Sequence, residues 1–144
     1  MKILVDTNIV LDVLLDREPF VEDAIQIFEL IEIGKVQGFI AATTITNIFY
    51  ILRKLLGREP TILAIQKLLL SFDLCAVDRQ TIEWAVAKNL KDFEDGVQAA
   101  CANINELDAI VTRNGSDFLG VSLPVFSAAE LVTHLQTSQN DSAD

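Results

Sequence analysis

Three aspartates and two asparagines, Asp6, Asp95, Asp117, Asn47 and Asn114, carry the chemistry this chain could do. Asp6 is the plainest of them. The apolar, β-branched run Ile3-Leu4-Val5 stops abruptly in Asp6-Thr7-Asn8, and a helical pattern of Ile9, Leu11, Val13 and Leu14 begins at once. That order predicts a buried strand whose C-terminal end delivers a carboxylate, with Thr7 or Asn8 capping the next helix. Asn47 falls in the first turn of a helix that Thr43 and Thr44 can cap, and Asp95 in the first turn of a helix opened by Asp92. Asn114 and Asp117 follow the apolar run Ala109-Ile110-Val111. Ligands of open α/β sheets bind in the crevice at the carboxyl ends of the strands. Convergence of these positions there gives an oxygen-lined site suited to Mg²⁺ or Mn²⁺.

The rest of the chain must supply the elements that bring them together. A helix from Asn8 to about Leu15 breaks at Arg17-Glu18-Pro19. Phe20 to Ile33 repeats apolar residues at helical spacing (Ala24, Ile27, Phe28, Ile31) and ends at Gly34, suited to the left-handed position after a helix. Gly38-Phe39-Ile40-Ala41 suits a buried strand, followed by a helix that stops at Gly57 and another from Glu59-Pro60-Thr61 to about Leu70. Asp73 to Val77 reads as a third strand, and Asp78 caps a helix holding Trp84 and Ala87. The helix Glu94 to Asn103 sets Val97, Ala100, Cys101 and Ile104 on one stripe. Asp108 to Thr112 is a fourth strand, Pro124-Val125-Phe126 a fifth, and Ser127 caps a final helix to about Gln136. Strands alternating with helices predict an α/β fold with a parallel sheet covered on both faces.

Composition agrees with one such domain. The 144 residues are 51% hydrophobic, enough for a sizeable core. Cys75 and Cys101 sit in apolar surroundings without metal-ligand spacing and read as reduced core thiols, which points to a cytoplasmic protein. No apolar run approaches the roughly 18 residues of a membrane span, and the N-terminus lacks the basic start and cleavage site of a signal peptide. The net charge of −10 runs against nucleic-acid binding unless the acids gather round a cation that inverts the local field. Two small basic groups, Arg53-Lys54 with Arg58 and Lys88 with Lys91, read as solvated helix faces. Residues 1–136 form the domain, and the polar, aperiodic Thr137 to Asp144 reads as a frayed, disordered tail.

Four segments carry a resemblance. Val5-Asp6-Thr7-Asn8-Ile9, Thr43-Thr44-Ile45-Thr46-Asn47-Ile48, Asp92-Phe93-Glu94-Asp95-Gly96-Val97-Gln98 and Thr112-Arg113-Asn114-Gly115-Ser116-Asp117-Phe118 resemble, in type and order, the PIN domain family. Its members are metal-dependent ribonucleases that include the VapC toxins of bacterial toxin–antitoxin pairs. Each segment is weak alone, since an Asp after a strand is common; together they span nearly the whole chain. The resemblance implies a three-layer α/β/α sandwich with a short central parallel sheet and acids clustered at its centre. It implies Asp6 as the most direct ligand of Mg²⁺ or Mn²⁺, Asp95 as the family's third acid, and Asn114 or Asp117 at the position of the fourth. Asp117 is the favoured carboxylate, with Asn114 supplying an amide hydrogen bond. Thr7 and Thr112 are implied as hydroxyls that orient the carboxylates.

Asn47 is the departure, because most active members carry a Glu at the matching position. The amide keeps an oxygen for a metal or its water but loses the negative charge and the capacity to act as a base. A subgroup of PIN-like proteins shares the Thr-Ile-Thr-Asn pattern. The three remaining carboxylates suffice for one divalent cation and leave a second poorly neutralised.

With the site live, the resemblance implies that the cation binds a phosphate oxygen and lowers the pKa of a water that attacks phosphorus in line. It implies cleavage of single-stranded or structured RNA, leaving 5′-phosphate and 3′-hydroxyl ends. A homodimer through the early helices and a small antitoxin protein in the acidic groove are implied as partners. The alternative is a catalytically weakened PIN domain that binds RNA or a protein. A phosphotransfer enzyme with Asp6 as nucleophile, like the haloacid-dehalogenase-like phosphatases, expects an acid two residues on, where this chain has Asn8. Plainer roles also exist for each group. Asp95 suits a first-turn acid favoured by the helix dipole, Asp117 a turn cap beside Gly115-Ser116, and Asn47 a bridge between helices. Asp12 and Glu94 are expected on solvated faces, and His134, the one histidine, on the surface of the last helix.

Overall fold

Ile3, Leu4 and Val5 are fully buried, so the first strand, β1 (Lys2–Val5), needs a layer on each face. Successive side chains sort between two cores: Ile3 and Val5 join one apolar cluster, Leu4 the other. The computed structural model, which describes residues 1–143, supplies both layers. After β1 the chain forms α1 (Thr7–Leu14), α2 (Val21–Glu32), β2 (Gln37–Ala41), α3 (Ala42–Leu56), α4 (Arg58–Ser71) and β3 (Asp73–Cys75). It continues through α5 (Arg79–Lys88), α6 (Phe93–Ile104), β4 (Ala109–Val111), a 3₁₀ turn (Gly115–Phe118), β5 (Val125–Phe126) and α7 (Ala128–Ala143).

All strand pairings are parallel, in the order β3-β2-β1-β4-β5. The chain steps outward from β1 to β3 and then restarts on the other side of β1. The strand order therefore reverses between β1 and β4, the place where such sheets open a crevice. Helices α1, α2, α3, α4 and α7 pack Ile9, Ile27, Ile48, Leu68 and Leu131 into the core that holds Ile3 and Val5. On the opposite face, α6 supplies Ala99, Cys101 and Ala102 to the core of Leu4 and Ile110. This is the expected α/β/α sandwich. Cys75 and Cys101 are buried free thiols. Among the described residues no helix is long and apolar enough to cross a membrane.

Several ends follow the local chemistry. Gly34 (φ 79°) closes α2, with its own N–H on Ile31 and that of Lys35 on Leu30, the bonding of a Schellman motif. Asp78 and Thr81 form a capping box on α5, and Asp92 accepts from the N–H of Asp95 at 3.2 Å. Ser127 and Glu130 cap α7 reciprocally, each bond 3.1 Å.

Other ends depart from expectation. Asp6 itself is the N-cap residue of α1, without a side-chain cap bond, and Thr7 and Asn8 lie inside the helix. The N-cap of α3 is Ala41, so Thr43 and Thr44 are helical rather than capping. The Asp6 and Thr44 side chains make long-range bonds instead. The last helix ends later than about Gln136: α7 runs to Ala143, with the Thr137 and Ser138 hydroxyls bonded back to the carbonyls of Thr133 and His134. Such bonds need no apolar stripe, which is why the hydropathy pattern did not show them. Asp144 lies outside the described residues. His134 is exposed on α7, its ring 5.1 Å from that of Phe126.

Candidate active site

Val5 pairs with Val111, so Asp6 and Thr112 follow side by side at the carboxyl ends of β1 and β4, where the strand order reverses. Asp6 is only 3% exposed, and a carboxylate so buried must be bonded. The Thr112 hydroxyl donates to Asp6 Oδ2 at 2.7 Å, and Gln98 Nε2 donates to Asp6 Oδ1 at 2.9 Å. Each oxygen thus spends one acceptor site on the protein and keeps another. Thr112 in turn accepts from the N–H of Asn114 at 3.1 Å, which holds the start of the following loop. Gln98 Oε1 accepts from the N–H of Thr7 at 3.2 Å, and Gln98 Nε2 also reaches Asp95 Oδ1 at 3.5 Å.

A second relay starts at Thr7. Its hydroxyl donates to Glu94 Oε1 at 3.0 Å. The 2.9 Å bond between the Thr7 and Thr44 hydroxyls then runs from Thr44 to Thr7, because each hydroxyl has one proton. Glu94 is thereby held against the site by α1 and α3, not turned to solvent as expected.

A cavity of about 380 Å³ is lined by Asp6, Asn47, Glu94, Asp95 and Asp117, with Asn8, Leu11, Tyr50 and Ile51 on its walls. A second of about 290 Å³ is lined by Lys91, Asp92, Asp95 and Asp117. The Asn114 side chain is exposed and lines neither cavity; only its backbone joins the network. The crowding has an electrostatic mark. Burial first, then the charges of Asp6, Asp92, Asp117 and Glu94, push the Asp95 carboxyl up to about 7. A separate crevice of about 330 Å³ among Val13, Phe28, Leu63, Leu68 and Phe72 is apolar and has no such crowding.

Asp12 is the largest surprise. It is 0% exposed rather than on a solvated face. Arg113 Nε lies 2.8 Å from Asp12 Oδ2, and Arg17 Nη1 lies 3.9 Å from Asp12 Oδ1. The closer contact is an ion pair without an aligned hydrogen bond. Burial outweighs both arginines, so the Asp12 carboxyl stays above its ordinary range. Arg113 also lies 4.0 Å over the ring of Phe20. Gln98 was missed as a site residue, although it is the one residue with a side-chain amide in the buried stretch Gly96 to Ala102. A lone amide there must find a partner, and that was the available signal.

The donor set suits a hard divalent cation, since every group offered is a carboxylate or amide oxygen. Among the described residues, no three His, Cys, Asp or Glu side chains already stand as a closed metal cage. The carboxylates stay open across the cavity, where burial first and then the neighbouring charges hold the Asp95 carboxyl up, and a bound cation offsets those charges.

The fold is thus a parallel α/β sandwich with an acid-lined crevice at its switch point. The chain belongs to the PIN domain family, which matches residues 2–116. It is similar in structure to a chain of a toxin–antitoxin complex from Klebsiella pneumoniae, with 25% identity and a TM-score of 0.66, covering 87% of this chain and 96% of that one. A chain of VapBC2 from Rickettsia felis bound to a promoter DNA fragment matches with 14% identity and a TM-score of 0.69, over 88% and 98% of the two chains. Mycobacterium tuberculosis VapC20, a sarcin–ricin loop cleaving toxin, matches with 13% identity and a TM-score of 0.61, over 75% and 86%. At 14% and 13% identity the likeness is one of fold. No curated protein matches this chain.

Proposed function

We propose that this chain is a divalent-metal-dependent ribonuclease that hydrolyses RNA phosphodiester bonds, and the toxin component of a toxin–antitoxin pair. The observation that carries the reading is the buried Asp6 carboxylate, bonded by Thr112 and Gln98 and opening on the same cavity as Asp95 and Asp117. These three aspartates would hold one Mg²⁺ or Mn²⁺, with Asn47 lining the same cavity. When bound, the cation supplies charge neutralisation at the scissile phosphate and acidifies the attacking water. Thr112 and Gln98 fix the plane of the Asp6 carboxylate, so its free acceptor sites keep one direction. Glu94, fixed by Thr7, adds a carboxylate that offsets the charge missing at Asn47.

An antitoxin partner is supported by the toxin–antitoxin complexes among the structural neighbours. A homodimer and a cytoplasmic location complete the reading. Asn47 favours a second reading, a weakened domain that binds RNA without cutting it. One experiment separates the two. Mn²⁺ binding by calorimetry and cleavage of single-stranded RNA are measured on wild type and Asp6→Asn. Binding and cleavage that both collapse in the variant support the nuclease. Metal binding without cleavage favours the binding module, and no metal binding overturns the metal site.

A further inference from the structure

Two residues at the ends of the acidic groove have no role in holding a cation. The cavities containing Asp6 and Lys91 share Asp92, Asp95 and Asp117, so they form one continuous groove across the acids. Its two ends differ in chemistry. On the Asp6 side the wall includes Leu11, Tyr50 and Ile51. Tyr50 stands on α3 one turn beyond Asn47 and is 62% exposed. Phe49 braces its ring at 5.4 Å and 82°, edge against face. Among the described residues the Tyr50 hydroxyl makes no hydrogen bond, so the ring stands in the groove wall with one edge-to-face neighbour and its hydroxyl unanchored.

The other end is wholly charged. Lys91 is exposed and lines the groove with three aspartates. Among the described residues it makes no ion pair, although Asp92 is its neighbour in the chain. In a chain of net charge −10, an unpaired ammonium at that point can draw a polyanion toward the acids.

We propose that Tyr50 and Lys91 mark the two ends of a track for single-stranded RNA. Tyr50 stacks an unpaired base on one side of the scissile phosphate, and Lys91 pairs with a backbone phosphate on the other. A base can lie on an exposed aromatic ring only when its own face is free, which a duplex prevents by stacking. The track rests on the ribonuclease reading and adds the substrate contacts that the carboxylates lack.

The test uses full-length protein with Mn²⁺ and a 5′-fluorescein-labelled, mixed-sequence single-stranded RNA, alone and annealed to its complement. Binding is followed by anisotropy and cleavage by gel. Tyr50→Ala is expected to raise KM by about tenfold or more, the effect of losing one stacked base, with the loss falling on KM rather than kcat. Tyr50→Trp keeps a stacking face and is expected to stay within about twofold of wild type. Lys91→Ala is expected to raise KM and flatten its dependence on salt. Calorimetry with Mn²⁺ alone should give Tyr50→Ala the wild-type affinity, which shows that the acids are undisturbed. KM values within twofold of wild type in both alanine variants overturn the track and leave the nuclease reading standing. Equal binding of the duplex overturns Tyr50 as a stacking platform, since a paired base offers it no free face. Wild type that neither binds nor cleaves the RNA overturns the nuclease reading, and the track with it.

Discussion

Arg113 and Asp12 meet beneath the candidate site, 2.8 Å apart, with the Asp12 side chain wholly buried. Arg113 immediately follows Thr112, whose hydroxyl bonds Asp6, and it opens the loop that carries Asp117. The pair ties that loop to α1. Buried ion pairs add little net stability, but removing one partner strands a charge. Arg113→Ala should therefore destabilise the protein by about 3 kcal/mol in urea unfolding. Without Arg113 the Asp12 carboxyl rises further above its unfolded value. The deficit should then shrink as pH falls and Asp12 takes up a proton, and be greatest at neutral pH and above. A deficit independent of pH would show that lost packing on Phe20 outweighs the charge. The double change Asp12→Leu with Arg113→Met should restore stability to within about 1 kcal/mol yet bind Mn²⁺ more weakly than wild type, because the loop loses its anchor.

Much of the scaffold was legible because its signals are local. The Ile3-Leu4-Val5-Asp6 junction, the glycine closing α2 and the caps at Asp78, Asp92 and Ser127 are decided by neighbours in sequence. The site was legible only in part, for the opposite reason. Asp6, Asp95 and Asp117 announce themselves as acids after strands or in first turns. Of the partners that fix the site, Thr112 on Asp6 is implied by the resemblance, and the others do not announce themselves. Arg113 finds Asp12, Gln98 finds Asp6, and Thr7 finds Glu94 only after β1, α6 and β4 assemble. A helical acid looks alike whether it faces water or a buried guanidinium, so the sequence alone places Asp12 and Glu94 in solvent.

Gln98 is the joint between α6 and the β1–α1 junction. Gln98→Ala leaves the buried N–H of Thr7 and one Asp6 oxygen without their partner, costing about 1–3 kcal/mol of stability. Gln98→Glu keeps an acceptor for Thr7 but sets a second carboxylate against Asp6. In chelator this variant should unfold at lower denaturant than Gln98→Ala, and saturating Mn²⁺ should narrow the gap. Equal midpoints under both conditions would mean that Asp6 does not feel residue 98.

Asp95 links pH to metal and to stability. Its carboxyl titrates at about 7 in the fold against a usual value of 3.8. Between those values the native state holds a proton that the unfolded chain has lost, so stability falls as pH rises through the window. In chelator, the Tm should be lower at pH 8 than at pH 5. Asp12 is raised as well and contributes with the same sign, so Asp95→Asn should reduce the slope without abolishing it. Protons also compete with the cation for Asp95. Mn²⁺ affinity should weaken by up to about tenfold per pH unit below 7 in wild type, following one linked proton, and much less in Asp95→Asn. A wild-type affinity flat from pH 5 to 8 would place Asp95 outside the metal site.

Asn47 tests how much charge the site needs. Asn47 and Asp95 line one cavity from α3 and α6, and Glu94 already adds a carboxylate beside Asp95. Asn47→Glu brings a further negative charge to that wall. Without metal it should sharpen the repulsion, raise the Asp95 carboxyl further and lower the Tm at pH 8. With Mn²⁺ the same charge becomes attractive, and affinity should rise by about tenfold, equivalent to about 1.4 kcal/mol. Calorimetry also reads the stoichiometry. One ion in wild type and two in Asn47→Glu would show that the amide holds the native site to a single cation. One ion in both, with cleavage unchanged, would show that Glu94 already supplies the charge that Asn47 lacks.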